Sequence, residues 1–446
     1  MRCQRLHARR RLHHARLTTR GTLASRPGFR AREFLLDMIP RDVASPAEGS
    51  RETTLLRLSR WALLATIAGL PTYVVRWHYG PLPTTLLETL ILVTVALYAV
   101  ARWREGRRRP VATPLDIPIV LLLLAGAIAV VVAKDHRTAL GLYRAYFVEA
   151  AAVFYVAVDL IRRTEDTKRL VLAFAIGSSL FAALNLIVFA RAAITHDIHV
   201  GIAPNALYGD SNYVAMYLDP PIALAAGLAL FAGTPRWRWI GVAWLAIVGA
   251  AMLATLSKGG YLAIGGLALV AVLSVRRWGA LILVGAVAAA LLLVRVPIVA
   301  QRLSSTDISI GGRLEIYRAT LQMIRANPIF GVGLGGYSFQ FRGSIPEVYP
   351  HDIWLTFWVE VGLLGVIAFA ATLAILLWRG ARAWRRVQGF ERSVLWGALA
   401  ALVMWIVHGV VDSPYWKNDM SVEFWMLAAL IIVCIRMATP AAVPRA

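Results

Sequence analysis

The chain has 446 residues, of which 59% are hydrophobic and only 16% charged, with a mean hydropathy of +0.63 and a formal net charge of +22. A soluble domain lies nearer half apolar and a quarter charged, so composition excludes a soluble globular protein. The excess of Lys and Arg sits in an N-terminal tail and in short loops between apolar runs, a pattern of membrane topology rather than of a nucleic-acid surface.

Residues 1–54 form a basic tail (Arg9, Arg10 and Arg11 among many) with no apolar core of a cleavable signal. It reads as a disordered cytoplasmic segment attracted to anionic lipid, and Met38 would make a more ordinary start. Apolar runs then follow at roughly 59–76, 84–101, 115–133, 138–161, 169–190, 213–232, 237–255, 260–275, 278–294, 353–378, 393–411 and 418–436. Each is near the ~20 residues that cross a ~30 Å hydrocarbon layer. The expected fold is all-α, a polytopic membrane protein of about twelve transmembrane helices. The span at 138–161 is the least regular, because it holds Arg144 and Glu149.

Alternate connections carry the cations: "RWREGRRRP", "IRRTEDTKR", "PRWRW", "VRRWG" and "WRGARAWRRVQGFER". The opposite ones, "HYGPLPT", "KDHR", 191–212 and "DSPYWKND", carry few. This alternation predicts an even number of spans with both termini cytoplasmic. The organisation is then a tail (1–54), helices one to nine (55–294), a periplasmic loop domain (295–352), helices ten to twelve (353–436) and a short cytoplasmic C-terminus (437–446). Cys3 in the tail and Cys434 in an apolar run form no disulfide framework.

The loop 295–352 is too long to be a simple connection. Its middle, "GGRLEIYRATLQMIRANP", predicts a helix with Leu314, Tyr317, Leu321 and Ile324 on one face and Glu315, Arg318, Gln322 and Arg325 on the other. Gly311 and Gly312 precede that helix and Pro328 ends it. "NPIFGVGLGG" then places Gly331, Gly333 and Gly336 at the spacing of a dinucleotide loop. Such a loop must follow a strand and open a helix; these glycines follow a helix and a proline, so close backbone packing is the expected use.

Several residues carry potential chemistry. Arg313 falls in the predicted first turn of the loop helix, where a cation is disfavoured unless an anion binds beside it; the plainer alternative is a solvated Arg or a pair with Asp307. Arg318 has Glu315 one turn before it. His351, beside Asp352 at the entry to the next span, suits a general base near neutral pH or a simple interfacial hydrogen bond. Lys258 in "TLSKGGYLAIGG" is a snorkelling lysine or a second cation facing the same anion. Asp219 precedes Pro220 and Pro221, which are expected to break or kink their helix. His408 and Asp412 share a helical face and are expected to hydrogen-bond to each other or to serve a site. No HExxH, Cys/His cluster, Walker loop or Asp-x-Asp pair occurs, so an enzyme built on this chain is expected to use cations and a base, with neither metal nor cofactor.

Taken in order, "SKGG", "GGRLEIYRATLQMI", "NPIFGVGLGGYSF", "HDIWLTFWVEVGLLGVIAF" and "HGVVDSPYW" resemble the O-antigen ligase family of bacterial membrane glycosyltransferases, which also holds lipid-linked glycan polymerases. The resemblance covers about 255–415. It implies about twelve helices with a periplasmic loop over a central cavity. It also implies transfer of a glycan from undecaprenyl diphosphate to an acceptor hydroxyl, lipid A-core for the ligases, without nucleotide or metal. By position His351 matches the family's essential histidine, Arg313 the loop arginine that holds the diphosphate, and Lys258 a membrane-edge arginine. Arg318 is a further diphosphate candidate, and Asp352, Tyr337, Asp219, His408 and Asp412 are candidate supports. Two positions depart from the pattern: Ser257-Lys258 stands where Ser-Arg is usual, and Asp352 where asparagine is common. The alternatives are a lipid-linked polysaccharide polymerase and, from another class, a transporter of a small anion or lipid-linked sugar.

Overall fold

The computed structural model describes residues 53–80, 82–107, 109–198, 203–275, 277, 279–304, 308–341 and 348–438. The expected basic tail, Cys3, Asp307 and most of the C-terminal tail lie outside those residues.

In chain order the elements are α1 (Thr54–Ala68), a 3-10 turn (Leu70–Val74), the hairpin strands β1 (Arg76–Tyr79) and β2 (Leu82–Thr85), α2 (Leu86–Arg104), α3 (Asp116–Val132) and α4 (His136–Tyr143). A π turn (Arg144–Val148) joins α4 to α5 (Glu149–Leu160), followed by α6 (Thr164–Ile194), α7 (Ser211–Phe231), α8 (Pro235–Ala254), α9 (Lys258–Ser274) and α10 (Gly279–Arg295). The loop region holds α11 (Pro297–Ser304), α12 (Ile308–Ala326) and α13 (Gly336–Gln340); α14 (Ile353–Trp384), α15 (Gly389–His408) and α16 (Asn418–Ala438) complete the chain. The two strands pair antiparallel, with Arg76 opposite Thr85.

The chain is an all-α, multi-pass membrane protein apart from this hairpin. Seven of the described helices, together with the run His136–Leu160 made of α4, the π turn and α5, are long and apolar enough to cross a bilayer, and the bent pair Gly279–Leu292 with Pro297–Leu303 would bring these eight to nine. The predicted count of about twelve is therefore not reached on length and composition alone. Asp116–Val132 and Lys258–Ser274 are apolar but shorter, and α1 has 15 residues.

Charge inside the irregular span is accommodated locally. The π turn presents Arg144 to Glu88, 2.8 Å away, and to Glu149, 3.1 Å away, so the guanidinium offsets two carboxylates that burial alone would not tolerate. A second correction concerns α7. Pro220 and Pro221 lie inside one continuous helix, although a proline removes an N–H and frees the carbonyl four residues earlier. For Pro220 that carbonyl belongs to Met216, and the Trp405 indole of α15 donates to it at 3.2 Å. A neighbouring side chain supplies the missing bond, as membrane helices require.

The two ends of the bundle differ in chemistry. At one end arginines and acids pair, Arg60 with Asp166 at 2.6 Å and Arg102 and Arg162 with Asp159, and the Thr164 hydroxyl donates to Glu391. The other end of α15 is His408, about 30 Å away at 1.5 Å per residue, and the candidate site gathers there.

The glycine-rich loop has a structural answer. Gly331, Gly333 and Gly335 all have left-handed backbone, and Gly362, also at positive φ, is a non-helical break that divides α14 into two pieces. A side chain at Gly331 would put Cβ 2.3 Å from the Val359 carbonyl oxygen, and one at Gly362 would put it 2.5 Å from that of Ile329. Loop and helix backbones therefore interlock. The buried Glu360 carboxylate accepts hydrogen bonds from the N–H groups of Gly335 and of Tyr337, the latter at 2.9 Å. An internal carboxylate fills the anion-binding backbone that a nucleotide would otherwise need.

Candidate functional site

The site is built around the turn that leaves α15, residues 408–413. Three separated segments converge on it. Ile353 at the start of α14 donates its N–H to the Gly409 carbonyl at 2.8 Å. Arg313 of α12 donates from Nη1 to the Val411 carbonyl. Gly259, next to Lys258 in the first turn of α9, approaches so closely that an added Cβ would lie 2.6 Å from His408 Nε2 and 3.1 Å from Val411.

His351 faces this turn. Its Nδ1 is 3.2 Å from Asp412 Oδ1. The Tyr317 hydroxyl, one helical turn after Arg313, lies 3.3 Å from both the His351 and the Val410 carbonyl oxygens. His351 is held at φ +54°, a left-handed conformation that is uncommon for a non-glycine residue and concentrates at functional sites. The ring is half-buried and Asp412 is buried. Burial works against ionisation of Asp412. The hydrogen bond with His351, the nearby rings of His351 and His408, and the Ser413 N–H outweigh it and hold the carboxyl below its ordinary value. An ionised carboxylate only accepts, so Nδ1 of His351 carries the proton and Nε2 is the basic nitrogen of the neutral ring.

Several expectations need correction. His408 and Asp412 do not bond to each other through their side chains. His408 Nδ1 meets Asp219 Oδ2 at 2.7 Å inside the bundle, and Asp412 meets His351. Asp352 does not touch the His351 ring in any described hydrogen bond; its carboxylate caps α14 by accepting the Leu355 N–H at 2.8 Å. Burial raises the Asp352 carboxyl, against backbone N–H bonds that lower it. Arg313 is not in a first turn, because α12 begins at Ile308. The anion-at-the-helix-end argument therefore does not apply to it.

The buried stripe of α12 is also different from that expected. Ile316, Thr320 and Ile324 are buried, with Arg313 and Tyr317 half-buried on the same side, while Leu314 and Leu321 are exposed. Arg318 lies on the exposed side. Tyr337 is buried away from the turn, stacked on Phe341 at 5.4 Å and packed with Ile316, Ile324, Val332 and Val359. Lys258 heads α9 behind Ser257, whose hydroxyl caps the helix at Gly260 and bonds to Asn212 of α7 at 2.8 Å.

Some residues at the site were not singled out from sequence. Rings run from Tyr213 to Tyr349 at 6.3 Å and from Tyr349 to His351 at 5.0 Å. Burial, with Asp412 and Tyr213 nearby, drives the Tyr349 phenol well above its ordinary value. The Lys417 ammonium stands 3.4 Å over the Tyr213 ring. Asp210, the cap of α7, is raised by burial and by Asp412, against the Asn212 N–H, His351 and Lys417. The one available signal was Lys417 itself, a cation in a loop otherwise poor in them. Among the described residues, no group of three or more His, Cys, Asp or Glu is arranged to hold a metal ion.

Residues 242–370 match the family model described as O-antigen ligase. Over these residues, somewhat under a third of its length, the chain is similar to the O-antigen ligase family. The matched stretch runs from α8 into α14 and so contains Lys258, Arg313, the glycine loop and His351. The turn that those residues approach, Asp219 and Lys417 lie outside the O-antigen ligase match, as does Asp210. No curated protein matches the chain.

Proposed function

We propose that the chain is a ligase-type glycosyltransferase that moves a glycan from undecaprenyl diphosphate to an acceptor hydroxyl at the periplasmic face of the inner membrane. One observation carries the reading: Arg313, His351 and the segment headed by Lys258 meet at a single turn in a chain similar over residues 242–370 to the O-antigen ligase family. The bonds balance simply. The acceptor oxygen attacks the anomeric carbon, the bond from that carbon to the diphosphate oxygen breaks, and the hydroxyl proton passes to His351 Nε2. The leaving group departs as the lipid diphosphate.

Each partner has a defined task. Asp412 orients the imidazole and stabilises it once protonated, the relation that a carboxylate has to a basic histidine in acyl transfer. Arg313 spends one N–H on the Val411 carbonyl; its other donors, with Lys258, would meet the charge that develops on the diphosphate. Preorganised cations of this kind are usually the largest contribution to catalysis. Asp219 and His408 act behind the turn as positioning residues, and Arg318, on the exposed face, is the weakest of the proposed diphosphate contacts. Counting α1, the two shorter apolar helices and the bent pair as spans gives about twelve, with both termini cytoplasmic and the loop 295–352 as a periplasmic cap.

The test is direct. Purified full-length protein is incubated with lipid-linked glycan and either lipid A-core or a second lipid-linked glycan, and the products are analysed by mass. Lipid A-core carrying the glycan supports the ligase, with lipid A-core as partner. A lengthened lipid-linked chain instead identifies a polymerase. Uptake of the lipid-linked sugar into vesicles without any new bond would overturn both.

A further inference from the structure

Beside the His351–Asp412 pair lies a set of polar groups that the transfer chemistry leaves unused. The Lys417 ammonium is held between two rings, 3.4 Å from the Tyr213 centroid and 5.7 Å from that of Tyr73. Among the described residues it has no carboxylate at ion-pair distance and no hydrogen-bond acceptor, although it is half-buried. A shielded ammonium carries three donors that need partners. Asp210 is in the complementary position. Its Oδ1 takes the Asn212 N–H at 2.8 Å, while Oδ2 has no partner among the described residues and Asp210 is itself only half-buried.

Lys417 and Asp210 are near enough to influence each other electrostatically, yet they form no ion pair. Lys417 lies over the first ring of the row Tyr213, Tyr349 and His351, and Asp210 is near enough to act electrostatically on the other two. The surrounding charge argues about the ligand. Asp210, Asp412 and Asp419 all act on Lys417, with Arg76 as the other cation, so this cluster is not an anion trap. An open donor and an open acceptor beside aromatic surface suit adjacent hydroxyls of a sugar: one accepts from the ammonium and the next donates to the carboxylate.

We propose that Lys417 and Asp210 form a subsite for an uncharged sugar, the residue of the acceptor that presents its hydroxyl to His351. The word acceptor rests on the transferase reading; the sugar subsite itself does not.

Saturation-transfer NMR on the full-length protein in detergent tests it, with methyl α-glucopyranoside and methyl β-galactopyranoside as neutral probes and glucose 1-phosphate as the charged one. We expect wild type to transfer saturation to a neutral glycoside. Lys417→Met and Asp210→Asn should each reduce that signal roughly fivefold or more, the loss of one hydrogen bond, and Lys417→Arg should retain most of it. Elution profile and melting temperature control for folding, and Asn caps a helix as well as Asp does. Absence of signal from both neutral glycosides in wild type, equal signals in wild type and both variants, or a stronger signal from glucose 1-phosphate would overturn the proposal. His351→Ala should still bind the glycoside. If wild type binds the sugar but transfers no glycan, the transferase reading fails and the subsite stands; if wild type transfers glycan and the variants bind as it does, the subsite alone fails.

Discussion

His351 Nδ1 and Asp412 Oδ1, 61 positions apart in sequence, meet at 3.2 Å where α14 begins and α15 has just ended. The pair gives the imidazole one defined basic nitrogen. A positioned general base contributes ~10²–10⁴-fold, so His351→Ala should lower glycan transfer by that order with protein level and donor binding retained. Asp412→Asn keeps the shape but cannot hold the same tautomer, and should lose a smaller part of the rate. Initial rates with purified protein check both; near-normal transfer by His351→Ala would remove the base.

Arg313 should not tolerate lysine. Lysine lacks the planar fork that allows one N–H to reach the Val411 carbonyl while others face a ligand. Arg313→Lys is expected to raise the apparent KM for donor, and Arg318→Lys on the exposed side to change it little. Equal effects at the two positions would contradict the assignment.

Gly259 packs against the His408 ring with no room for a methyl group. His408 cannot yield easily, because it is buried and bonded to Asp219. Gly259→Ala should therefore impair transfer and lower the melting temperature together. Asp219→Ala, which leaves a buried imidazole without its carboxylate, should cost about 3–5 kcal/mol, measurable as a large loss of thermal stability in detergent.

Glu360→Gln tests the glycine loop. Two backbone N–H groups point at the two carboxylate oxygens; the amide offers one oxygen and turns a donor toward the other N–H. About 1–3 kcal/mol of destabilisation is expected from the unsatisfied pair, read as a lower melting temperature.

Asp210 supplies a pH test. Its folded value lies above the ordinary one, chiefly through burial. A group of this sign contributes stability at pH below its unfolded value and loses it as pH rises through the folded value. Replacing Asp210 by Asn removes that loss. The melting temperature of Asp210→Asn relative to wild type should rise between pH 4 and pH 7.5; a difference independent of pH would contradict the assignment.

The apolar runs were legible because a membrane helix announces itself by length and composition alone, and described helices lie over each of the twelve. Crossing the bilayer was less legible: α1, α3 and α9 fall short of that length, and α10 runs into a bent pair. Within the site, Lys258, Arg313 and His351 could be read because they lie in or beside motif-like segments. Their partners could not. Helical spacing pairs Asp412 with His408 only if α15 continues past His408; it ends there, and the turn directs Asp412 to His351 on another segment. Asp352 is adjacent to His351 in sequence, but the residue before a helix is used first for its cap, and its carboxylate takes the Leu355 N–H. The apolar pattern of α12 does not reveal its buried stripe, because apolar side chains occur on both sides: Ile316 and Ile324 are buried while Leu314 and Leu321 are exposed.

The Trp405 indole that bonds to Met216 has a mechanical consequence. α7 runs on through two prolines, α15 supplies a donor to the carbonyl that Pro220 leaves free, and the Asp219–His408 bond fastens the same two helices about one turn away. Sliding one past the other would strip both bonds inside a medium that offers no replacement. The two helices must therefore move as one rigid strut, so that Asp210 at the tip of one and the Asp412 turn at the tip of the other keep their spacing whatever opens around them to admit a substrate.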